Sequence, residues 1–340
     1  MTETVPAAGE RHSRSALARH GNRPGMSRMI AGIDLASAPS NTGVALLRCE
    51  NTSAAPARNA PHSAAPEGAP VVVERLAVGA DDPDLLHVIC SADHTGIDVP
   101  IGWPRGFVTL ISEHQSAGEN ALAPSGARPG DPDTGSGPDA STDVGSGTGA
   151  RSATGAGRGT TDESWRSTAI LRATDRELHA RTGLRPLSVS SDRIAYPALR
   201  WAALERTLRA EGVDCSRDGS GRISEVYPAG ALQAWNLPHR GYKGTAGAAV
   251  REQIITRLME LLPWLDWNRT EDLCLRNDNA LDALLAALSA REVRLGAVPP
   301  PPPQLRADAL AEGWIMTPIT RPTPPGARAQ HRKSSEDTTP

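Results

Sequence analysis

The chain has few aromatic residues, since Phe, Trp and Tyr make up only 3% of its 340 residues and phenylalanine occurs once. Hydrophobic residues reach 39%, whereas glycine and proline number 32 and 29. A chain that folded over its whole length would carry more large apolar side chains for its core. We therefore expect part of the sequence to lie outside a folded domain.

Cysteine pairs and long apolar runs are also lacking. The four cysteines are widely spaced and form no Cys-x-x-Cys motif, which argues against a zinc site or a disulfide framework and favours reduced thiols. No apolar run approaches the roughly 20 residues of a membrane span. The N-terminal residues lack the apolar stretch of a signal peptide. We therefore expect a cytoplasmic protein with no membrane association.

The charge balance offers no strong excess of either sign. A net charge of -3 and a pI near 6.3 give no overall attraction to nucleic acid or to an anionic membrane. Any binding to nucleic acid would therefore need a local basic surface.

The composition changes along the chain and suggests one interrupted domain. Residues 118–162 form a low-complexity segment of Gly, Ser, Asp, Thr and Pro that cannot bury a core. Residues 1–27 and 319–340 have the composition of disordered tails. Neither 28–117 nor 163–318 contains enough strands and helices to fold alone. We predict a single domain built from both parts, with a long disordered insertion between them.

The apolar patterns within these parts predict an α/β domain with a mixed sheet flanked by helices. Short apolar runs predict strands, and apolar residues at helical spacing predict helices. The predicted strands are 29–33, 43–47, 71–78, 95–99 and 222–227, and the predicted helices are 84–90, 197–209, 250–262 and, as the last one, 278–294.

Five carboxylates stand at places where burial is expected. Asp34 follows an apolar strand, where its carboxylate loses hydration and needs a metal, a proton or a cation beside it. Asp98 and Glu225 lie in similar strands. Asp278 and Asp282 are four residues apart at the start of the last predicted helix, and so share one edge of its apolar face.

Several carboxylates that converge in a partly dry cleft repel each other unless a divalent cation neutralises them. Oxygen ligands suit Mg²⁺ or Mn²⁺, and two such ions can drive hydrolysis of a phosphodiester. We predict Asp34, Asp98 and Asp282 as metal ligands, with Glu225 and Asp278 completing the catalytic set. Four of the five also have a structural alternative, which is a turn residue for Asp34, a strand-end cap for Asp98, a solvent-facing strand residue for Glu225 and a helix N-cap for Asp278.

The segments that carry these residues resemble an uncharacterised family described as predicted RNase H-like nucleases (domain of unknown function number four hundred and twenty-nine). The resemblance implies an RNase H-like fold and, by analogy of fold, metal-dependent nuclease activity. It implies that Asp34 matches the first-strand aspartate of RNase H-like enzymes, and that Asp282, with Asp278 nearby, matches the acidic start of their last helix. The similar segments are GIDLASAPSNTGVALL, GIDVPIGWP, RATDREL, SEVYPAGALQAWNLPHRGYKG, NDNALDALLAAL and EGWIMTP, in this order.

Basic and aromatic residues provide candidates for substrate binding. Arg172 and Arg193 could bind phosphate oxygens through their planar guanidinium groups. Arg172 could equally form a structural pair with Asp175, three residues on. In the segment HRGYKG, Tyr242 could stack on a base and Lys243 could bind a phosphate, although an exposed loop is an equal alternative.

Three functions therefore compete. The leading hypothesis is a Mg²⁺- or Mn²⁺-dependent nuclease, whose partner would be nucleic acid. The second is ATP-dependent phosphoryl transfer, because GIDLASAPSNTG resembles the first phosphate loop of actin-like sugar kinases. Those enzymes use two such domains, and the sequence supplies ordered segments for one. The third is a non-catalytic module that binds nucleic acid or protein.

Overall fold

The computed structural model describes residues 27–50, 71–122 and 162–327. Most of the predicted tails and of the predicted insertion lies outside these ranges. The described residues form one six-stranded sheet with helices on both faces, which confirms an α/β fold with a mixed sheet in a single domain. Within these ranges, no helix combines the length and the hydropathy needed to cross a membrane.

Most strands lie in the first half of the chain, and the second half is mainly helical with two short strands. The strands are β1 (Arg28–Asp34), β2 (Gly43–Cys49), β3 (Val71–Val78), β4 (His94–Asp98), β5 (Ile223–Glu225) and β6 (Leu265–Asp266). The helices are α1 (Asp82–Ser91), α2 (Arg105–Leu122), α3 (Asp162–Ile170), α4 (Ala173–Thr182), α5 (Ala195–Ala210), α6 (Pro228–Ala234), α7 (Ala248–Leu261), α8 (Glu271–Arg276), α9 (Asp278–Arg294) and α10 (Arg306–Glu312).

The sheet has the order β5-β4-β1-β2-β3-β6. Strand β2 pairs antiparallel with both β1 and β3, whereas β1, β4 and β5 run parallel to one another. The first two strands form a hairpin, and β4 joins it on the other side of β1 after the crossover through α1. Strand β1 therefore belongs both to the antiparallel hairpin and to the parallel part of the sheet.

Strand β1 contributes side chains alternately to the two faces of the sheet. Ala31 and Ile33 pack with α1 and α5 in one apolar cluster. Ile30 packs with α6, α7 and α9 in the other. Because side chains alternate along a strand, Gly32 and Asp34 share the face of Ile30. Asp34 therefore faces the side of the sheet that α9 covers.

Helix α9 lies very close to the sheet because small residues line both surfaces. It packs on β1, β2 and β4. A Cβ atom on Gly32 would overlap the backbone of Ala283 and Ala287, and one on Gly96 would overlap the carbonyl oxygen of Ala286. The backbone of α9 therefore lies directly against the backbone of β1 and β4. A side chain of α9 needs to extend only a short distance to reach the sheet.

The structure corrects two expectations about α9. Its bounds match the predicted 278–294, but every residue from 280 to 292 is buried, so α9 is not a helix with one apolar face. Helices α6 and α8 cover the side that faces away from the sheet. It is also not the last helix, since α10 follows.

The described chain continues past residue 318, where the composition predicts a disordered tail. Thr323 donates two hydrogen bonds to Glu292 there.

Candidate metal centre

Three of the predicted ligands meet at one end of the sheet. Asp34 ends β1, Asp98 ends β4, and Asp282 lies one turn inside α9. Each offers a carboxylate oxygen, and these oxygens all lie within 4.8 Å of one another. Asp282 is fully buried, and the two strand aspartates are partly buried. The structure therefore brings together the three aspartates that the sequence predicts as a metal site.

Burial makes the charged form of these carboxylates costly. Desolvation raises the pKa of Asp34 to about 6, with Lys243 opposing the rise and Asp278 adding to it. Desolvation and the neighbouring Asp34 raise the pKa of Asp98 to about 8, again against Lys243. The cluster therefore favours a proton or a cation over two free negative charges.

Two neighbouring residues already contact the buried member of the cluster. The Tyr242 hydroxyl donates a hydrogen bond of 2.9 Å to Oδ1 of Asp282, and Lys243 forms an ion pair with Oδ2. Burial raises the pKa of the Tyr242 hydroxyl well above its usual range, so it remains a donor. Tyr242 is only 3% exposed, which argues against the expectation that it stacks on a base. Lys243 is half exposed at the edge of the cluster.

Asp278 lies at the margin of the cluster. It is the first residue of α9, and Asn277 is the N-cap whose side chain accepts from the backbone N–H groups of Asn279 and Ala280. Asp278 is therefore not the N-cap itself. It is partly exposed, and it is near enough to Asp34 to raise the pKa of that carboxyl.

The structure places Arg172 and Glu225 in a buried ion pair that leaves neither free for the predicted role. The guanidinium of Arg172, 1% exposed, donates to both carboxylate oxygens of Glu225 at 2.7 Å and also pairs with Asp175. Oxygen Oε2 of Glu225 also accepts from the backbone N–H of Ile101. The ion pair therefore argues against Arg172 as a phosphate ligand and against Glu225 as a catalytic carboxylate, whereas the structural pair of Arg172 with Asp175 is confirmed.

Arg193 is exposed and stands just before α5. It precedes Ile194, which lines a cavity beside the cluster, but Arg193 itself is not in the lining. Among the described side chains it has no ion-pair partner. The structure thus leaves it close to the candidate site without placing it inside.

The chemistry of the three aspartates fits a divalent cation. All three donors are carboxylate oxygens, the ligand type preferred by Mg²⁺ and Mn²⁺. Desolvation raises the pKa values of Asp34 and Asp98, and a bound cation would favour the charged form of both carboxylates. The cluster can hold a metal ion.

A cavity of about 290 Å³ opens directly beside the cluster. Asp98, Tyr242 and Lys243 form the wall that it shares with the cluster. Arg185 and Arg240 stand at its exposed edge and were missed from the sequence. Arg240 could have been found, because it lies in the same HRGYKG segment that indicated Tyr242 and Lys243; Arg185 carries no such signal.

Comparison with known proteins identifies one family. The family model described as "Protein of unknown function (DUF429)" matches residues 32–305, a range that includes all three clustered aspartates. Searches among curated proteins and among solved structures found no match.

Proposed function

The chain belongs to this family of unknown function, DUF429, and we propose that it is a divalent-metal-dependent nuclease that hydrolyses phosphodiester bonds in nucleic acid. The observation that carries the proposal is the convergence of Asp34, Asp98 and Asp282 within 4.8 Å. The resemblance of the surrounding segments to predicted RNase H-like nucleases supports the same reaction, with Mg²⁺ or Mn²⁺ as the cofactor.

The unfavourable free energy of bringing these carboxylates together supports a functional role for the cluster over a structural one. Three carboxylates, two at strand ends and one inside a helix, repel one another and lose hydration, and neutral side chains of similar size would remove both costs. Strong perturbation of neighbouring pKa values in a cleft is typical of functional sites. Asp34, Asp98 and Asp282 thus carry a cost that metal binding would offset.

The proposal gives each nearby residue a distinct task. Asp34, Asp98 and Asp282 hold the ion, which when bound would supply Lewis-acid activation of a phosphoryl oxygen and of water. The Tyr242 hydroxyl keeps the Asp282 carboxylate in orientation through its hydrogen bond. With an ion bound to the aspartates, Lys243 would no longer be needed to neutralise Asp282, and its ammonium would bind a phosphate oxygen of the substrate.

The alternatives draw less support from the fold. The described residues form one sheet with its helices, whereas the sugar-kinase alternative requires two such domains around the nucleotide. A non-catalytic binding module has no need for the carboxylate cluster. We place the activity in the cytoplasm, in keeping with the four cysteines, which are all free.

The test compares the full-length protein with its Asp34→Asn and Asp272→Asn variants. Labelled single-stranded and duplex DNA and RNA are incubated with Mg²⁺, Mn²⁺ or EDTA, and the products are separated by size. The wild type is expected to cleave only with a divalent ion, and Asp34→Asn to lose at least about a hundredfold in rate. The control changes an aspartate whose side chain is 74% exposed, outside the cluster, and should keep full activity.

Circular dichroism and calorimetric titration with Mn²⁺ complete the comparison. Asp34→Asn should keep the wild-type spectrum and bind Mn²⁺ more weakly. Equal cleavage by the wild type and Asp34→Asn, or cleavage that persists in EDTA, contradicts the proposal. Micromolar ATP binding without any cleavage would favour phosphoryl transfer instead.

A further inference from the structure

The cavity beside the carboxylate cluster has two kinds of wall. One side is the cluster itself, through Asp98 and Lys243. The remainder is largely apolar and comes from loops around the carboxyl ends of β4 and β5, from the connection between α4 and α5 and from the segment after α10. The apolar residues are Pro100, Pro186, Leu187, Ile194, Tyr227 and Ile315.

Two arginines at the mouth of this cavity carry positive charge that no described carboxylate neutralises. Arg185 and Arg240 are exposed, and neither forms an ion pair with any described side chain. Arg240 is near enough to Tyr227 to influence its hydroxyl electrostatically. By contrast, Arg172 at the back of the cavity is saturated by Glu225 and Asp175. An anionic group that enters the cavity would therefore meet its free cations at the mouth.

The volume limits what the cavity can admit. About 290 Å³ is at the lower end of the roughly 300–1,000 Å³ that small-molecule sites occupy, so it suits one flat ring with its attached sugar. Bases inside a duplex are stacked and paired, and extruding one costs a few kcal/mol. A single-stranded end or an isolated nucleotide avoids this cost.

We infer that the cavity binds one unstacked nucleobase of a phosphoester, with its phosphate held between Lys243, beside the carboxylate cluster, and the arginines at the mouth. This inference deepens the proposed function, on which it rests, by naming its substrate class as single-stranded nucleic acid or a small nucleotide-like phosphoester. Leu187 and Tyr227 contact the base, and Arg185 and Arg240 bind the phosphate next to it.

Binding is measured in EDTA, so that the result does not depend on the proposed reaction. Fluorescence anisotropy follows full-length protein added to a labelled single-stranded oligonucleotide and to the same sequence as a blunt duplex. Competition with thymidine 5′-phosphate separates the two sources of the ligand: efficient competition identifies a small phosphoester, and weak competition identifies a strand. Tighter binding of the single strand than of the duplex is expected in either case.

Two pairs of variants locate the site. Arg240→Ala should weaken binding at least about tenfold, as expected for a lost charged hydrogen bond, whereas Arg206→Ala on α5 should change it less than about twofold. Leu187→Asp should also weaken binding, whereas Leu310→Asp should not. The leucines are 46% and 50% exposed, so both variants should fold.

The outcomes separate this inference from the proposed function. Equal affinity for duplex and single strand, or equal losses in the cavity variants and their controls, overturns the cavity assignment even if metal-dependent cleavage is observed. Selective loss of binding in Arg240→Ala and Leu187→Asp supports the cavity assignment even if no cleavage is found in the separate assay with Mn²⁺.

Discussion

Asp34 and Asp98 are register partners on the adjacent parallel strands β1 and β4. The hydrogen-bonded backbone of the sheet therefore sets the two carboxylates side by side, and their spacing does not depend on flexible segments. The preceding residues pair in the same way, with Gly32 opposite Gly96. These glycines admit α9, which brings Asp282 to the same point. One contact of helix and sheet thus assembles the whole cluster.

This pairing predicts that a rise in pH lowers the stability of the folded protein and that a bound metal ion raises it. The pKa values of Asp34 and Asp98 are raised to about 6 and about 8, so between the unfolded value near 3.8 and about 8 the folded protein binds more protons than the unfolded chain. Their contribution to stability is therefore lost as the pH rises through this window. A metal ion replaces the protons, so Mn²⁺ should raise the melting temperature more at pH about 8.5 than at pH about 5.5.

Thermal unfolding with Mn²⁺ and with EDTA at both pH values measures this effect. Asp98→Asn is the comparison, because it removes the group with the higher pKa without changing its size. The variant should melt at a higher temperature than the wild type in EDTA at the higher pH and should gain less from Mn²⁺. An equal gain from Mn²⁺ at both pH values would show that these carboxylates do not bind the ion.

Much of the fold follows from local patterns in the sequence. The predicted strand 71–78 and helix 278–294 agree with β3 and α9 to the residue, because each has a regular apolar pattern with clear ends. The cluster was also predictable, since Asp34, Asp98 and Asp282 follow or interrupt apolar segments. The repeated tripeptide Gly-Ile-Asp at 32–34 and 96–98 pairs in register and is a further signal for it.

Contacts between distant residues could not be predicted in this way. Glu225 is 53 positions from Arg172, and nothing near either residue indicates that their charges cancel. The hydrogen bond from Tyr242 to Asp282 joins residues 40 positions apart. Burial of α9 on all sides was also missed, because alanine suits a buried helix and an exposed helix equally well.

The close contact of helix and sheet predicts a large effect of Gly32→Ala. The added Cβ would overlap the backbone of α9, which cannot rotate away as a side chain could. We expect a loss of about 3 kcal/mol or more in the free energy of unfolding, together with loss of Mn²⁺ binding. Urea unfolding and calorimetric titration measure the two effects.

Gly183→Ala is the control for Gly32→Ala. Gly183 ends α4 with a φ of 73°, and an added Cβ would meet nothing within 4 Å. This variant should cost only about 1 kcal/mol, from backbone strain, and should keep its affinity for Mn²⁺. If Gly32→Ala were no more harmful than Gly183→Ala, the close approach of α9 would not be needed for the cluster.

The ion pair of Glu225 predicts that this residue supports stability and not metal binding. Glu225→Gln keeps the size of the side chain but removes one of the two negative charges that neutralise the buried Arg172. We expect a loss of about 2–4 kcal/mol in the free energy of unfolding, because a buried charge is left partly compensated. Affinity for Mn²⁺ at a temperature where the variant is folded should stay close to that of the wild type. A large loss of Mn²⁺ affinity in folded protein would instead make Glu225 a ligand.

Replacement of Lys243 is expected to give a variant that binds metal more tightly than the wild type. Its ammonium pairs with Asp282 and lowers the pKa values of Asp34 and Asp98, so it neutralises part of the charge that attracts a metal ion. An entering ion must displace this ammonium or tolerate its repulsion. Lys243→Gln should therefore raise the affinity for Mn²⁺ by about three- to tenfold and lower the melting temperature in EDTA, since the cluster loses its internal cation.

Calorimetric titration of Lys243→Gln with Mn²⁺ shows whether the Lys243 ammonium competes with the ion or holds Asp282 in position for it. Arg240→Gln is the control, because it removes a neighbouring positive charge that forms no ion pair with the described carboxylates. It should shift the Mn²⁺ affinity by less than about twofold, as expected for an exposed and screened charge. Weaker Mn²⁺ binding by Lys243→Gln would mean that Lys243 holds Asp282 in position for the ion. Tighter binding with slower cleavage would mean that the same ammonium competes with the ion and then binds the substrate phosphate.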